Sequence, residues 1–138
     1  PMTVKTGKPA SHRNYALTLL LALTMAALAP AAAHAASLRC GWLDNPTPGN
    51  ASLYDKDGEW TIAVQGGHQA TGDWPPAFKP GQWVSSGQGS YGYGCVCLTV
   101  EVDAEEKNIL NILSGKARPL STCRKDRAIA NIEKQLRP

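Results

Sequence analysis

Cys95-Val96-Cys97-Leu98-Thr99-Val100-Glu101-Val102 is the stretch that decides the fold. Successive side chains of an extended strand point to opposite faces. Val96, Leu98, Val100 and Val102 therefore share one face, and Cys95, Cys97, Thr99 and Glu101 share the other. Residues branched at Cβ and recurring at that period predict a strand buried on one side. A polar turn over residues 103–108 follows, and Ile109 to Leu113 reads as the returning strand of a hairpin. Upstream, residues 51–54 and 60–65 flank Asp55-Lys56-Asp57-Gly58-Glu59, where Asp-Gly favours the positive φ of a hairpin turn. In the later strand Trp60, Ile62 and Val64 alternate with Thr61, Ala63 and Gln65, which puts Trp60 in the core.

Around these hairpins the chain is rich in backbone-breaking residues. Residues 44–50 hold two prolines and a glycine and read as a loop. From Gly66 to Gly94 the periodicity lapses among glycines and prolines, with only Gln82-Trp83-Val84 suggesting a short strand. A stretch of that length is either a loop held by its own aromatic side chains or a functional surface. Near the end, Ser121 or Thr122 can cap a helix whose Ile129, Ile132 and Leu136 fall on one stripe. The expected class is α+β: a small antiparallel β-sheet domain with long Gly/Pro-rich loops, one C-terminal helix and two disulfides.

The first 35 residues read differently. Lys5, Lys8, His12 and Arg13 precede an uncharged apolar run from Tyr15 to Leu28, and Ala33 and Ala35 supply the small residues of a signal-peptidase site. The pattern predicts a signal peptide over residues 1–35 and a single domain over 36–138, periplasmic or secreted. The run is shorter than the roughly 20 residues needed to span a bilayer, so no membrane anchor is expected after cleavage. Arg39 precedes the first cysteine where lipid attachment needs a small residue.

Removing the leader removes the whole formal surplus of +3, which Lys5, Lys8 and Arg13 supply. The remaining charges segregate: residues 36–106 carry 3 basic and 9 acidic side chains, and residues 107–138 carry 8 and 2. The basic segment either packs against the acidic body or forms a patch, from Lys116, Arg118, Arg124, Lys125 and Arg127, that meets an anionic envelope component. A neutral exported chain is not expected to bind nucleic acid.

The 4 cysteines, Cys40, Cys95, Cys97 and Cys123, lie downstream of the leader and lack paired CxxC knuckles, so disulfides are expected in preference to zinc. Alternate residues of a strand have Cα atoms roughly 6.5–7 Å apart, at the limit for a bridge. Cys95 to Cys97 is thereby disfavoured, and Cys40 pairs with one of the two and Cys123 with the other, in either of the crossed arrangements. Each bridge closes a loop large enough to contribute about 4 kcal/mol in the chain-entropy model.

Catalytic signals are weak. His68, with Ser85 or Ser86 and Asp73, lacks any nucleophile-elbow motif. Asp44, Asp55, Asp57, Glu59 and Asp73 offer carboxylate pairs of unspecified separation. No catalytic residue, metal ligand or cofactor is assigned. Aromatic usage is the more informative signal: Trp74, Trp83, Tyr91 and Tyr93 sit among glycines and prolines, with an apolar face and a polar tip suited to stacking on a ligand.

The strings Arg39-Cys40-Gly41-Trp42-Leu43-Asp44-Asn45-Pro46-Thr47-Pro48-Gly49-Asn50, Asp57-Gly58-Glu59-Trp60-Thr61-Ile62 and Tyr91-Gly92-Tyr93-Gly94-Cys95-Val96-Cys97-Leu98 jointly resemble the domain-of-unknown-function family 4087, as do Arg118-Pro119-Leu120-Ser121 and Cys123-Arg124-Lys125-Asp126. The resemblance implies a small exported bacterial protein and brings no activity or catalytic residues. Ser86-Gly87-Gln88-Gly89-Ser90-Tyr91 is also similar to the Ser-Gly-x-x-Tyr loop of membrane-bound lysozyme inhibitors, with one residue too many. The expected function is a non-enzymatic envelope binding or inhibitor module acting through the Gly66 to Gly94 surface on an envelope protein or glycan. The alternative is a small hydrolase of envelope polysaccharide using the loop carboxylates. Oligomeric state is not legible.

Overall fold

In the computed structural model, the described residues are Thr3, Gly7 and 33–138. The expected leader therefore lies outside them, apart from Thr3, Gly7 and 33–35. Seven strands form one sheet: β1 (Ser37–Thr47), β2 (Asn50–Asp55), β3 (Gly58–Ala63), β4 (Thr71–Gly72), β5 (Trp83–Ser85), β6 (Gly92–Asp103) and β7 (Asn108–Arg118). Three consecutive strands form a meander, and β6 returns to pair with β1, which is the Greek-key arrangement. Because β7 pairs with β6 on one side and meets β3 on the other, β1, β2, β3, β7 and β6 close into a five-stranded barrel. The sheet is mostly antiparallel, as expected, but not wholly so. Thr61 of β3 faces Asn108 of β7 in parallel, and β4 runs parallel to β7 at Asn111 and Ile112.

All five barrel strands send side chains to one interior. Leu43, Leu53, Trp60, Ile62, Val96, Leu98, Val100, Ile109 and Ile112 form it, in the alternation read from β6. The segment 44–50 is not a loop: β1 runs through Thr47, and only Pro48 and Gly49 turn the chain into β2. Pairing with β6 as far as Asn45 supplies enough ladder bonds to hold Pro46 at the strand's end. Gly41 is required in that strand, because a Cβ there would strike the Tyr54 carbonyl of β2. Val64, by contrast, is exposed, since β3 ends one residue before it.

A second cluster lies on the outer face of β1 and β6. Trp42, Tyr93 and Cys95 meet Cys123 and Ile129 there, with Leu120, Ile132 and Leu136 packed around them. The single terminal helix expected from the sequence is instead three short pieces: α1 (Leu120–Lys125), a 3-10 turn (Ala130–Ile132) and α2 (Glu133–Leu136). Asp126 breaks it, taking an extended backbone after α1 while its carboxylate accepts the Ala128 N–H at 3.0 Å. Helical content is thus small in a mostly β domain. Neither Ser121 nor Thr122 caps α1, whose preceding residue is Pro119.

The disulfides resolve the open choice: Cys40 pairs with Cys97 and Cys95 with Cys123. Cys40 and Cys97 are direct cross-strand neighbours of β1 and β6, whereas Cys95 to Cys123 ties the terminal segment onto the barrel. Arg124 completes that tie with bonds of 2.7–3.1 Å to buried Glu133, whose carboxylate also accepts the Tyr93 hydroxyl at 3.0 Å. The hydrogen bonds from Arg124 hold Glu133 below the usual carboxylate range. Two disulfides fit a protein of an oxidising compartment. Among the described residues no helix is long and apolar enough to cross a membrane.

Candidate functional site

The two ends of the barrel are closed by different means. At one end lie the start of β1, the β2–β3 turn and the β6–β7 turn, as the strand registers require. Arg39, inward by its alternation with Leu43, stacks on Trp60 with its guanidinium carbon 3.8 Å from the ring centroid. Lys107 approaches the same ring at 4.3 Å. Buried Asp55 accepts bonds from Arg39 at 2.7 Å, from the Trp60 indole N–H at 3.0 Å and from the Asp57 backbone at 2.8 Å. This end is plugged.

The other end is the mouth, and the long segment between β3 and β6 lies over it. Trp74, Phe78 and Trp83 from that segment pack against the barrel core. They can approach because β6 begins with Gly92 and Gly94. A Cβ on Gly94 would lie 2.6 Å from Phe78 and 2.9 Å from Trp83, and one on Gly92 would strike the Val84 carbonyl. Cross-strand pairing sets Trp83, Gly94 and Leu43 in one row and Ser85, Gly92 and Asn45 in the next. Paired residues of a sheet point the same way, and the bare Gly92 lets the Val84 carbonyl and the Trp83 indole nitrogen come close where its side chain would stand.

A cleft of about 560 Å³ opens above these rows. Trp83, Phe78, Pro75 and Pro80 give it apolar walls, and Asn45, Lys79, Ser85 and Ser90 supply the polar groups. Phe78 and Trp83 form its aromatic corner, with ring centroids 4.6 Å apart and planes inclined at 50°. No carboxylate lines it. A concave apolar surface with a few convergent polar groups at the mouth of a barrel has the ordinary anatomy of a ligand site.

The four aromatic residues expected to bind a ligand separate accordingly. Trp83 lines the cleft. Trp74 and Tyr91 are half-buried and do not line it, and Trp74 packs against the core. Tyr93 is a correction: it is 1% exposed, packs edge-on against Trp42 at 5.6 Å and bonds Glu133, so it belongs to the second core. It alternates with Gly92 and Gly94 and so faces away from the mouth. Sequence reading missed Phe78, Pro75, Pro80 and Asn45. The available signal was the Gly-x-Gly at the head of β6, which removes side chains where the rings land.

The weaker catalytic groupings do not assemble. His68 bonds the Ile109 carbonyl at 2.8 Å, while the Ser85 hydroxyl accepts the Gly87 N–H and the Ser86 hydroxyl donates to the Tyr91 carbonyl. Among the carboxylates, Asp44 and Glu59 share the outer face of β1–β3 with Ser52 and Tyr54. Glu59 accepts both hydroxyls, at 2.8 and 3.1 Å. Burial, and then the charge of Glu59, push Asp44 up to about 6. Burial and the same carboxylate push Tyr54 up to about 12. No group of His, Cys, Asp and Glu able to hold a metal occurs among the described residues.

No curated protein and no solved structure matches the chain. The family model described as "Protein of unknown function (DUF4087)" matches residues 34–130, covering both the strands of the barrel and the cysteines that staple it, and the chain belongs to that family.

Proposed function

We propose that the protein is an exported, non-enzymatic binding or inhibitor module of the bacterial envelope, and that the barrel mouth holds its partner, an envelope protein segment or glycan. The observation that carries this reading is the cleft itself. Two glycines at the head of β6 are bare, two aromatic rings pack against them, and the hollow beside them is lined by apolar side chains with a few polar groups. Such a surface supplies apolar contact area with a few orienting hydrogen bonds and no group positioned for chemistry. Asn45 and Ser90 are the useful test positions, because neither is engaged by the aromatic corner. Immobilised wild-type protein should retain a component of envelope extract or solubilised envelope glycan. Combined Asn45→Ala and Ser90→Ala should weaken retention by about tenfold, the value of two modest hydrogen bonds, with an unchanged melting temperature. Equal retention by both proteins overturns the assignment of the mouth.

The hydrolase reading keeps one observation in its favour: neighbouring carboxylates of which one, Asp44, is held near neutrality. They stand on strands rather than in loops and outside the cleft. Release of reducing ends from envelope polysaccharide, abolished by Asp44→Asn, would replace the binding reading with this one.

A further inference from the structure

The charge segregation seen in the sequence survives folding. Every ion pair among the described residues stays within one half. Arg39 and Lys56 pair with Asp55 and Asp57, and Arg124 and Arg137 pair with Glu133. No pair joins residues 36–106 to residues 107–138. Of the five cations expected to form a patch, Arg124 is taken by Glu133, and Lys116 and Arg118 pair with no acid.

Those two lie side by side on the outer face of β7. The registers place Leu38, Thr99 and Ser114 in one row across β1, β6 and β7, and Cys40, Cys97 and Lys116 in the next. Arg118 stands opposite Cys95 in the row after that. A groove of about 480 Å³ runs over these rows. Its lining includes Ser114, Lys116 and Arg118 on one side, Leu38 on the other, and Cys97 and Thr99 between them, with no acidic residue. Leu38 is 69% exposed, the highest value among the large exposed hydrophobic residues described.

From this we infer a second binding site, separate from the mouth, for a net anionic phosphate group, with no cation of its own, carried on an apolar body. The guanidinium of Arg118, the ammonium of Lys116 and the two hydroxyls offer more donors than the two oxygens of a carboxylate can use. A phosphate has enough acceptor oxygens for all of them, and arginine engages phosphate with two parallel bonds. Leu38 and the disulfide present apolar surface beside the anion position, so a bare anion leaves half of the groove unused. The neutral balance of residues 36–138 makes this a local attraction and not a property of the whole molecule.

The test is a titration of the purified protein followed by backbone and side-chain resonances, with three probes: monomeric dihexanoyl phosphatidylglycerol, its phosphatidylcholine counterpart and inorganic phosphate. The phosphatidylglycerol probe should shift Leu38, Thr99, Lys116 and Arg118 and leave Asn45 and Trp83 unmoved. It should bind at least tenfold more tightly than either of the others. Lys116→Ala and Arg118→Ala should each weaken it roughly fivefold, and Leu38→Ser should bring its affinity down toward that of inorganic phosphate. All three positions are surface sites, so folding is expected to persist, and the melting temperature checks it. Equal affinity for inorganic phosphate would reduce the site to one for a free anion and overturn the inference. Equal affinity for the phosphatidylcholine probe, or shifts confined to the mouth, would overturn it as well.

Discussion

One barrel is finished in two ways. At the plugged end, Trp60 is filled in from both sides of the sequence by Arg39 and Lys107, and Asp55 collects three donors. The ring is buried, and Arg39 bonds Asp55 through Nη1, while its buried Nε and the Ser37 hydroxyl have no partner. At the mouth, Trp83 and Phe78 do the same covering job, but they are delivered by a long connection and remain half-buried. The polar groups near them face a hollow instead of one another. Covering a barrel end from its own strands uses up the side chains, whereas covering it with a connection leaves surface available. That difference is why the mouth, and not the plug, carries the proposed partner.

The largest expected effect tests the plug. Trp60→Ala removes a fully buried ring, which costs about 3–5 kcal/mol in cores, and it takes the stacking surface from Arg39 and one donor from Asp55. In a domain whose whole stability is of order 5–15 kcal/mol, chemical denaturation should show most of it gone. A loss below about 1 kcal/mol would mean that the two ends do not differ in the way described.

The contrast also explains what could be read in advance. The strand at residues 95–102 and the two hairpins were legible, because their alternation is local and one face of each is uniformly apolar. β1 was not, for a physical reason: Trp42 and Leu43 are adjacent and both buried, one in each cluster, so the period of two vanishes where the strand has a core on either side. The same two-sidedness hid Tyr93, which shares a segment with mouth-facing glycines but points to the other core. The disulfide partners needed the register of β1 against β6, which follows from that unread strand. The helix stripe at Ile129, Ile132 and Leu136 was real as a packed set, with Ile129 buried and the other two half-buried, yet the local preference of Asp126 for a turn decided the backbone.

A middle-sized effect is expected at the mouth. Gly94→Ala places a methyl group 2.6 Å from Phe78 and 2.9 Å from both the Gln82 carbonyl and Trp83, contacts that the two rings must relieve by moving. Overpacking of this sort costs about 1–3 kcal/mol. The indole N–H resonance of Trp83 should shift while that of Trp60 holds its position, and affinity for the mouth ligand should fall with it. A shift at both indoles would show that the ends are coupled through the barrel and would erase the distinction between them.

The smallest effect concerns acidity, and it too separates the regions. Asp44, beside the mouth strand position Asn45, has its carboxyl raised from 3.8 to about 6 by burial and then by Glu59. A folded-state value above the unfolded one means that the protonated form is favoured by folding. Its contribution to stability is present below about pH 4 and is lost as pH rises through 6. Because the group is half-exposed, screening leaves roughly 1 kcal/mol of this at most. Glu133 carries the opposite sign: Arg124 holds it low, so its contribution is present above its ordinary value of 4.5 and disappears as pH falls through the lower folded-state value. Asp44→Asn should therefore be more stable than the wild type above pH 6, and the two melting curves should converge toward pH 4. Loss of stability in more acidic solution should remain in both proteins, because the Glu133 clamp is untouched. If the variant and the wild type keep a constant offset from pH 4 to 8, the carboxylate beside the mouth is ionised without cost, and the polar groups at this end are as well accommodated as those of the plug.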